Sequence, residues 1–215
     1  MKKITTQMPS IIYGTAWKKE RTEDLVIQAV KCGFRGIDTA CQPKHYNEAG
    51  VGQALSKLLK AGMTREELYI QTKFTPAQGQ DPFTIPYDKT APVSEQVAQS
   101  FMVSKKNLGV SYVDGLILHS PLESIEQTKM AWKGMERIHA EGEAKLLGLS
   151  NCYDLETLEE LYTQALVKPT ILQNRFYQDT DYDHAIRLFC LEKGIVYQGF
   201  WTLTANPQIL SHESV

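Results

Sequence analysis

The sequence lacks the cysteine patterns and the long apolar runs that mark secreted and membrane proteins. Its 215 residues include four cysteines, which lie far apart and form no CxxC pair: Cys32, Cys41, Cys152 and Cys190. This spacing fits free thiols in a reducing compartment better than a disulfide framework or a zinc site. Neither a signal peptide nor a membrane span can be recognised in the sequence. We therefore expect a cytoplasmic protein with no membrane partner.

An excess of charge of either sign is also missing. The formal net charge is −2, so the chain has no general electrostatic attraction for nucleic acid or for anionic membranes. A content of 42% hydrophobic and 22% charged residues is ordinary for a globular protein. The length fits one domain or at most two small ones, and we expect a single domain over residues 1–215 whose partner is a small molecule.

The glycine-rich loops that bind phosphate in open α/β sheets are absent as well. No GxGxxG follows the first strand pattern, and no GxxxxGK[ST] occurs in the chain. What is present is a strand pattern followed by a helix pattern, repeated about six times with strand starts at residues 34, 69, 113, 144, 170 and 195. Such alternation requires a parallel sheet covered by helices. We predict an α/β fold of the (β/α)8 TIM-barrel type.

The predicted barrel is incomplete. A strand near Tyr13–Trp17 brings the total to about seven strands, whereas a closed barrel of this type needs eight. The sequence ends at Val215, within the helix that would follow the last strand pattern. We therefore expect the last strand–helix unit to be missing, and the unpaired sheet edges favour association between molecules.

Two segments carry more specific predictions. Residues Thr75–Pro92 are rich in Pro, Gly, Gln and Asp and are too long for an ordinary connection, so we interpret them as a substrate loop. In this loop Phe83 and Tyr87 could form an apolar lid. The helix before Gly194 is predicted to face the core through five residues: Tyr182, Ala185, Ile186, Phe189 and Cys190.

Polar or aromatic residues occupy the carboxyl ends of nearly all predicted strands: Asp38, Lys73, His119, Ser150, Asn151, Gln173, Asn174, Phe200 and Trp201. Each residue alone has a structural explanation. Lys73 and His119 could be rim residues bound by loop carbonyls. Asn151 could be a helix cap, as Asn47 could be before the second helix, and Gln173 could be a hydrogen-bonding residue within a barrel layer. Taken together they favour an active site, because in a barrel all strand ends lie on one face. A buried Lys73 would need a partner, and Asp38 on the neighbouring strand is suitable.

Seven motifs along the chain resemble one enzyme family. They are GIDTA, HYNEAGVGQAL, IQTKF, LILHSP, GLSN, LQN and GIVYQGFWTLTANP, and the similarity extends over Gly14 to Pro207. With these motifs the chain resembles the aldo-keto reductases, which are NADP(H)-dependent oxidoreductases built on a (β/α)8 barrel. The resemblance implies reduction of a small aldehyde or ketone by hydride transfer from NADPH. It also implies a monomer.

The resemblance assigns roles to particular residues. It implies a catalytic tetrad made of Asp38, Tyr46, Lys73 and His119. It implies that the cofactor is bound by Ser150, Asn151, Gln173 and Phe200, with Trp201 as a second candidate for the stacking aromatic. The loop CQPKH before Tyr46 is longer than in the family, which leaves His45 as a competitor for the acidic position.

The implied tetrad makes chemical sense for carbonyl reduction. The carbonyl oxygen gains negative charge and needs a proton donor. A free tyrosine has a pKa of about 10 and is a poor acid at neutral pH. We expect a cationic Lys73 to lower the pKa of Tyr46 and Asp38 to keep Lys73 charged. His119 would hydrogen-bond the substrate oxygen.

Other interpretations of the same residues remain open at this point. Lys73 could act as the amine of a Schiff-base, aldolase-type barrel enzyme. The chain could also be a non-catalytic barrel remnant. A metal site made of Cys41, His45 and His119 lacks any diagnostic ligand spacing. The family resemblance implies a lysine and an arginine beyond Val215 that clamp the cofactor's 2′-phosphate, so we expect weak NADPH binding and low activity.

Overall fold

A computed structural model describes residues 8–213 of the chain. The N-terminal stretch in which we expected no signal peptide, and the end of the chain at Val215, fall partly outside this range. The described part contains seven β-strands: β1 Ile12–Gly14, β2 Gly36–Asp38, β3 Tyr69–Phe74, β4 Val113–Leu118, β5 Ala144–Ser150, β6 Ile171–Arg175 and β7 Val196–Phe200. Their starts lie within two residues of six of the predicted positions. The first strand is shorter than predicted, because Trp17 has a left-handed backbone with φ of 63°.

The strands form one parallel sheet in the order β1 to β7. In a flat sheet, β3 and β7 would be about 19 Å apart, at about 4.8 Å for each strand step. Instead, Gln71 on β3 donates from Nε2 to Oε1 of Gln198 on β7 over 3.0 Å. The sheet is therefore curled into most of a barrel, and the predicted incomplete (β/α)8 fold is confirmed. Within residues 8–213, β1 and β7 do not pair with each other.

Helices cover the outer face of the sheet. They are α1 Thr22–Lys31, α2 Glu48–Lys60, α3 Val93–Leu108, α4 Ile125–Ala140, α5 Leu155–Gln164, α6 His184–Lys193 and α7 Pro207–Leu210. Three of them begin at a side chain that accepts a backbone hydrogen bond from the first turn, namely Asn47, Ser124 and Asp154. Such caps satisfy amides that a helix leaves without a partner at its start.

The core lies between the outer face of the strands and the helices. It includes Ile70, Leu116 and Leu118 from the strands and Trp132 and Met135 from α4, all at most 1% exposed. Helices α2 and α3 approach closely because Gly52 has no side chain. A Cβ atom on Gly52 would lie 2.0 Å from the carbonyl oxygen of Asn107.

The predicted inward face of the last long helix is wrong in part. Helix α6 begins only at His184, and Tyr182 lies in the preceding 3-10 segment, where residues 181–183 have positive φ. Ala185 is exposed, whereas Ile186 and Cys190 are buried as predicted. The hydrophobic period alone did not indicate the irregular turn that delays the helix.

The apolar lid predicted in the 75–92 loop does not form from Phe83 and Tyr87. The Phe83 side chain is 96% exposed. Tyr87 is buried against Phe74, and its hydroxyl donates to the carbonyl oxygen of Thr75 over 2.8 Å. Tyr87 therefore anchors the loop to the end of β3. Separately, the described helices include none long and apolar enough to cross a membrane.

Candidate active site

A buried ion pair lies at the carboxyl ends of β2 and β3. Lys73 Nζ is 2.5 Å from Oδ2 of Asp38, and the lysine side chain is 2% exposed. The same ammonium group donates to the carbonyl oxygen of Thr39 over 2.8 Å. A cation that has lost its water needs such partners. The pairing predicted from the strand order is the one the structure contains.

Tyr46 and His119 lie beside this ion pair. Lys73 Nζ is 5.3 Å from the centroid of the Tyr46 ring. The Tyr46 and His119 rings meet edge to face with centroids 6.0 Å apart. The structure thus brings together the four residues that the sequence motifs grouped, although they come from three different strand–helix units of the barrel.

The loop that carries Tyr46 is fixed by its neighbours. The Gln42 carbonyl accepts from the amides of His45 and Tyr46, each over 3.0 Å. The His45 ring lies against Trp17, with centroids 4.0 Å apart, and its Nδ1 is 2.9 Å from Gln42 Oε1. His45 is therefore held by Trp17 and Gln42, and the partner of Lys73 is Asp38.

Burial and nearby charges act in opposite directions on the pKa of Lys73 and on that of Tyr46. Burial is the largest single effect on Lys73 and acts to lower its pKa, but the charge and hydrogen bond of Asp38, together with Tyr46 and Glu48, outweigh it, so the pKa lies above its usual value. For Tyr46 burial is the largest effect and raises the pKa, while Lys73 lowers it and Asp38 raises it again. The expectation that Lys73 lowers the net pKa of Tyr46 is wrong for this structure, because desolvation of the phenolate is stronger.

His119 is held as a neutral ring. Its Nδ1 lies 2.7 Å from the Thr75 hydroxyl, and its backbone amide donates to the Phe74 carbonyl over 2.9 Å. Burial, followed by the charges of Lys73 and His45, lowers the pKa of His119 to about 3. The Nδ1 contact leaves Nε2 as the ring atom available to another molecule.

The predicted cofactor residues at the ends of β5 and β6 are linked to the same site. Ser150 Oγ donates to the Gln173 carbonyl over 2.7 Å, and Asn151 Nδ2 donates to the His119 carbonyl over 2.8 Å. Gln173 Nε2 lies 3.3 Å from Asp38 Oδ1. Asn151 adopts a left-handed backbone with φ of 50°, which turns its side chain back towards His119.

A layer of amides lies inside the barrel; Gln173 was considered for such a layer, whereas Gln71 and Gln198 were not predicted from the sequence. Gln71 donates to Asp38 Oδ1 over 2.7 Å, and both Gln71 and Gln173 bond the Gln198 amide on β7. The signal was present, since Gln71 lies two residues before Lys73 and alternate residues of a strand share a face. Thr75, the partner of His119, was also missed.

Phe200 and Trp201 lie at the end of β7, next to β6. Phe200 pairs in register with Arg175, and the Trp201 ring lies 4.2 Å from the Arg175 guanidinium carbon. Among the described residues, no ring contact joins either aromatic residue to Tyr46 or His119. Their predicted stacking role remains a prediction.

A cleft with a volume of about 510 Å³ adjoins Asn151. It is lined by Ser120, Pro121, Asn151, Cys152, Tyr153, Asp154 and Thr157. No group of three or more His, Cys, Asp or Glu side chains within residues 8–213 could hold a metal ion. Cys41, His45 and His119 therefore do not form the metal site considered above.

Comparison with known sequences identifies the family. A model of the aldo/keto reductase family matches residues 10–209. The uncharacterized oxidoreductase YtbE of Bacillus subtilis is 32% identical over 209 residues, which cover 96% of this chain and 68% of the relative. The glyoxal reductase of the same bacterium is 31% identical over 195 residues, or 90% of this chain and 62% of the relative. The chain thus spans about two thirds of the length of these relatives.

Solved structures agree with this match. An aldo/keto reductase from Brucella melitensis is 27% identical and has a TM-score of 0.76, covering 95% of this chain and 73% of that protein. An aldo-keto reductase from the silkworm Bombyx mori, solved in complex with NADP, is 23% identical with a TM-score of 0.73 over 90% of this chain and 62% of that one. The match over most of the sequence confirms the resemblance seen in the motifs. The chain belongs to the aldo/keto reductase family.

Proposed function

We propose that this chain reduces the carbonyl group of a small aldehyde or ketone to an alcohol, with NADPH as the cofactor. The observation that carries the proposal is the buried Lys73–Asp38 ion pair beside Tyr46 and His119. A cation, a phenol and a neutral imidazole thus lie close together at the carboxyl ends of the strands. This is the face that carries the active site in TIM-barrel enzymes. The glyoxal reductase among the relatives makes a reactive dicarbonyl the first substrate to test.

The polar groups near Asn151 fit the carboxamide of a nicotinamide ring. Asn151 and Gln173 supply amides and Ser150 supplies a hydroxyl. Gln173 Nε2 donates to Asp38 and Gln198, while within residues 8–213 its Oε1 accepts no hydrogen bond. That oxygen could accept from a carboxamide NH2 group, and Phe200 offers a ring face for stacking. When bound, NADPH supplies the hydride.

The side chains of the tetrad would supply the proton that the carbonyl oxygen needs. Because burial raises its pKa, Tyr46 keeps its phenolic proton at neutral pH and can give it to the carbonyl oxygen as negative charge develops there. Lys73 stabilises the phenolate that remains, and Asp38 keeps Lys73 charged and oriented. If the Thr75 hydroxyl donates to Nδ1 of His119, the ring proton lies on Nε2 and can orient the substrate oxygen.

Neither alternative function gains support. A Schiff-base lysine must be neutral to attack a carbonyl. The ion pair with Asp38 instead raises the pKa of Lys73. A non-catalytic remnant would have no need of a buried cation beside a phenol, and the named relatives include reductases.

Replacing Tyr46 tests the proposal. The change Tyr46→Phe removes only the hydroxyl, so we expect kcat with methylglyoxal and NADPH to fall by about 100-fold or more. The affinity for NADPH, measured by calorimetry, should stay within about twofold, because the hydroxyl acts on the substrate. Tyr162→Phe on α5, far from the site, is the matched control. Equal rates for Tyr46→Phe and the wild type would remove Tyr46 from the mechanism.

We also propose a cytoplasmic location and a single domain. The support for the location is that all four cysteines are free and three of them are buried. The support for one domain is that a single sheet contains all the described strands.

A further inference from the structure

We infer that Arg175 binds an anionic oxygen group at the mouth of the barrel and that this group is a phosphate of the cofactor. The inference rests on the proposed function, because it takes NADP(H) as the ligand. It concerns a residue outside the catalytic tetrad and outside the carboxamide site.

The position of Arg175 places it at the mouth. Side chains two residues apart on a strand point to the same face of the sheet, so Arg175 lies on the inner face with Gln173. Arg175 is two residues closer to the carboxyl end of β6. Gln173 lies inside the barrel, where it bonds Asp38 and Gln198. On β7 the same step leads from Gln198 to Phe200, the partner of Arg175 in register.

Two aromatic rings hold the guanidinium group. Its carbon lies 4.2 Å from the centroid of the Trp201 ring and 5.1 Å from that of Tyr177. The turn that carries Trp201 is fixed by Asn206, which is 1% exposed and donates to the carbonyls of Phe176 and Thr202. Rings over a guanidinium cover its faces and leave the N–H groups at its edge to bond in the plane.

Those N–H groups have no hydrogen-bond partner among residues 8–213. Within residues 8–213, no carboxylate forms an ion pair with Arg175, and its Nε is buried with no hydrogen-bond partner. Asp183 lies behind the strand, where its Oδ2 accepts from Asn174 and Tyr197. By contrast, the partly buried Arg65 is paired with Asp114 at 2.7 Å. A held guanidinium whose donors have no partner among these residues is suited to bidentate binding of a phosphate or carboxylate.

The neighbours of Arg175 favour the cofactor as the source of the anion. Its backbone amide donates to the Tyr153 hydroxyl over 3.1 Å, and that hydroxyl lies 3.3 Å from Asn151 Oδ1. Arg175 is thus linked to Asn151 on one side and to Phe200 on the other, and both are proposed cofactor residues. A carboxylate on the substrate is the competing source of the same chemistry.

Binding without turnover tests the inference. We expect Arg175→Gln to weaken NADPH binding at least tenfold, measured by titration calorimetry on the full chain. Arg175→Lys keeps the charge but loses the planar guanidinium, so its affinity for NADPH should lie between those of the wild type and Arg175→Gln. Arg187→Gln is the matched control: Arg187 lies over the Phe176 ring, but its Nε donates to the Tyr182 carbonyl on the outer side of the barrel. The NADPH affinity of Arg187→Gln should stay within twofold of that of the wild type.

Two results would overturn the inference. One is an unchanged NADPH affinity in Arg175→Gln. The other is a higher KM for an aldehyde that carries a carboxylate, with no change for a neutral aldehyde or for NADPH binding, which would assign Arg175 to the substrate. If Arg175→Gln does not fold, the Lys variant decides, together with competition of inorganic diphosphate against NADPH in the wild type. Because no turnover is needed, the result is independent of the Tyr46→Phe experiment.

Discussion

At the scale of single residues, the site depends on a balance between burial and charge. Lys73 keeps its proton because Asp38 is 2.5 Å away, although burial favours the neutral amine. Tyr46 also keeps its proton, because burial raises its pKa more than Lys73 lowers it. A protonated phenol next to a fixed cation is a proton donor whose product, the phenolate, is stabilised where it forms.

The neutral state of His119 predicts a pH dependence of stability. A histidine in the unfolded chain has a pKa of about 6.5, whereas burial, Lys73 and His45 lower the pKa of folded His119 to about 3. Between these values the unfolded state binds the proton more readily, so this contribution to stability is complete above pH 6.5 and is lost as the pH falls towards 3. Urea unfolding at several pH values between 4 and 8 should show the decline.

The change His119→Asn should flatten that decline, because asparagine does not titrate and can still bond the Thr75 hydroxyl. His184→Asn, at an exposed position, is the control and should keep the wild-type slope. A decline of equal steepness in the His119 variant would show that other groups cause it. The same neutral ring predicts that kcat/KM has no inflection near pH 6.5 due to His119.

At the scale of elements, one buried carboxylate joins the helix after Tyr46 to the strand of Lys73. Glu48 begins α2 and is 4% exposed. Its Oε1 accepts from the Thr72 hydroxyl over 2.6 Å and its Oε2 from Ser104 on α3 over 3.2 Å. Because Tyr46 lies two residues before Glu48 and Lys73 follows Thr72, this carboxylate fixes the distance between the two.

Removing this link should lower the stability of the fold. Glu48→Ala leaves two buried hydroxyls without their acceptor, so we expect a loss of about 1–3 kcal/mol in the free energy of unfolding. Glu48→Gln keeps the volume and one oxygen and should cost less. Glu66→Ala, at an exposed position, should change stability by no more than about 0.5 kcal/mol. Urea denaturation measures all three, and equal stability of Glu48→Ala and Glu66→Ala would contradict the role.

At the scale of the whole molecule, the curled sheet has two edges. Neither β1 nor β7 has a strand on its outer side in the part of the chain that the structure describes. Beside β7, helix α6 exposes Leu188 and Leu191, at 55% and 79%. Unpaired backbone groups next to exposed apolar side chains favour association.

We therefore expect the sedimentation coefficient to rise with protein concentration. Changing Leu188 and Leu191 together to Gln should reduce that rise, because less apolar surface is then removed from water on contact. Phe83→Gln, which changes a 96% exposed side chain in the 75–92 loop, should leave the concentration dependence of the sedimentation coefficient unaltered. A coefficient that does not depend on concentration would argue for a monomer with protected edges.

The alternation of strands and helices could be predicted from the sequence, because the hydrophobic period and the helix caps are local properties. The polar residues at the strand ends could be predicted too. Parallel strands bring their ends together, so the sequence alone was enough to group Asp38, Lys73 and His119. The predicted inward face of α6 failed at Tyr182, where a turn with positive φ delays the helix.

How these residues act on one another depends on the tertiary structure. The curl of the sheet brings Gln198 on β7 against Gln71 on β3, which are 127 residues apart in the chain. The fold also makes burial outweigh Lys73 at Tyr46 and leaves the buried Arg175 Nε without a hydrogen-bond partner within residues 8–213. Desolvation and hydrogen-bond satisfaction sum over neighbours from many distant segments, and no local pattern in a sequence contains that sum.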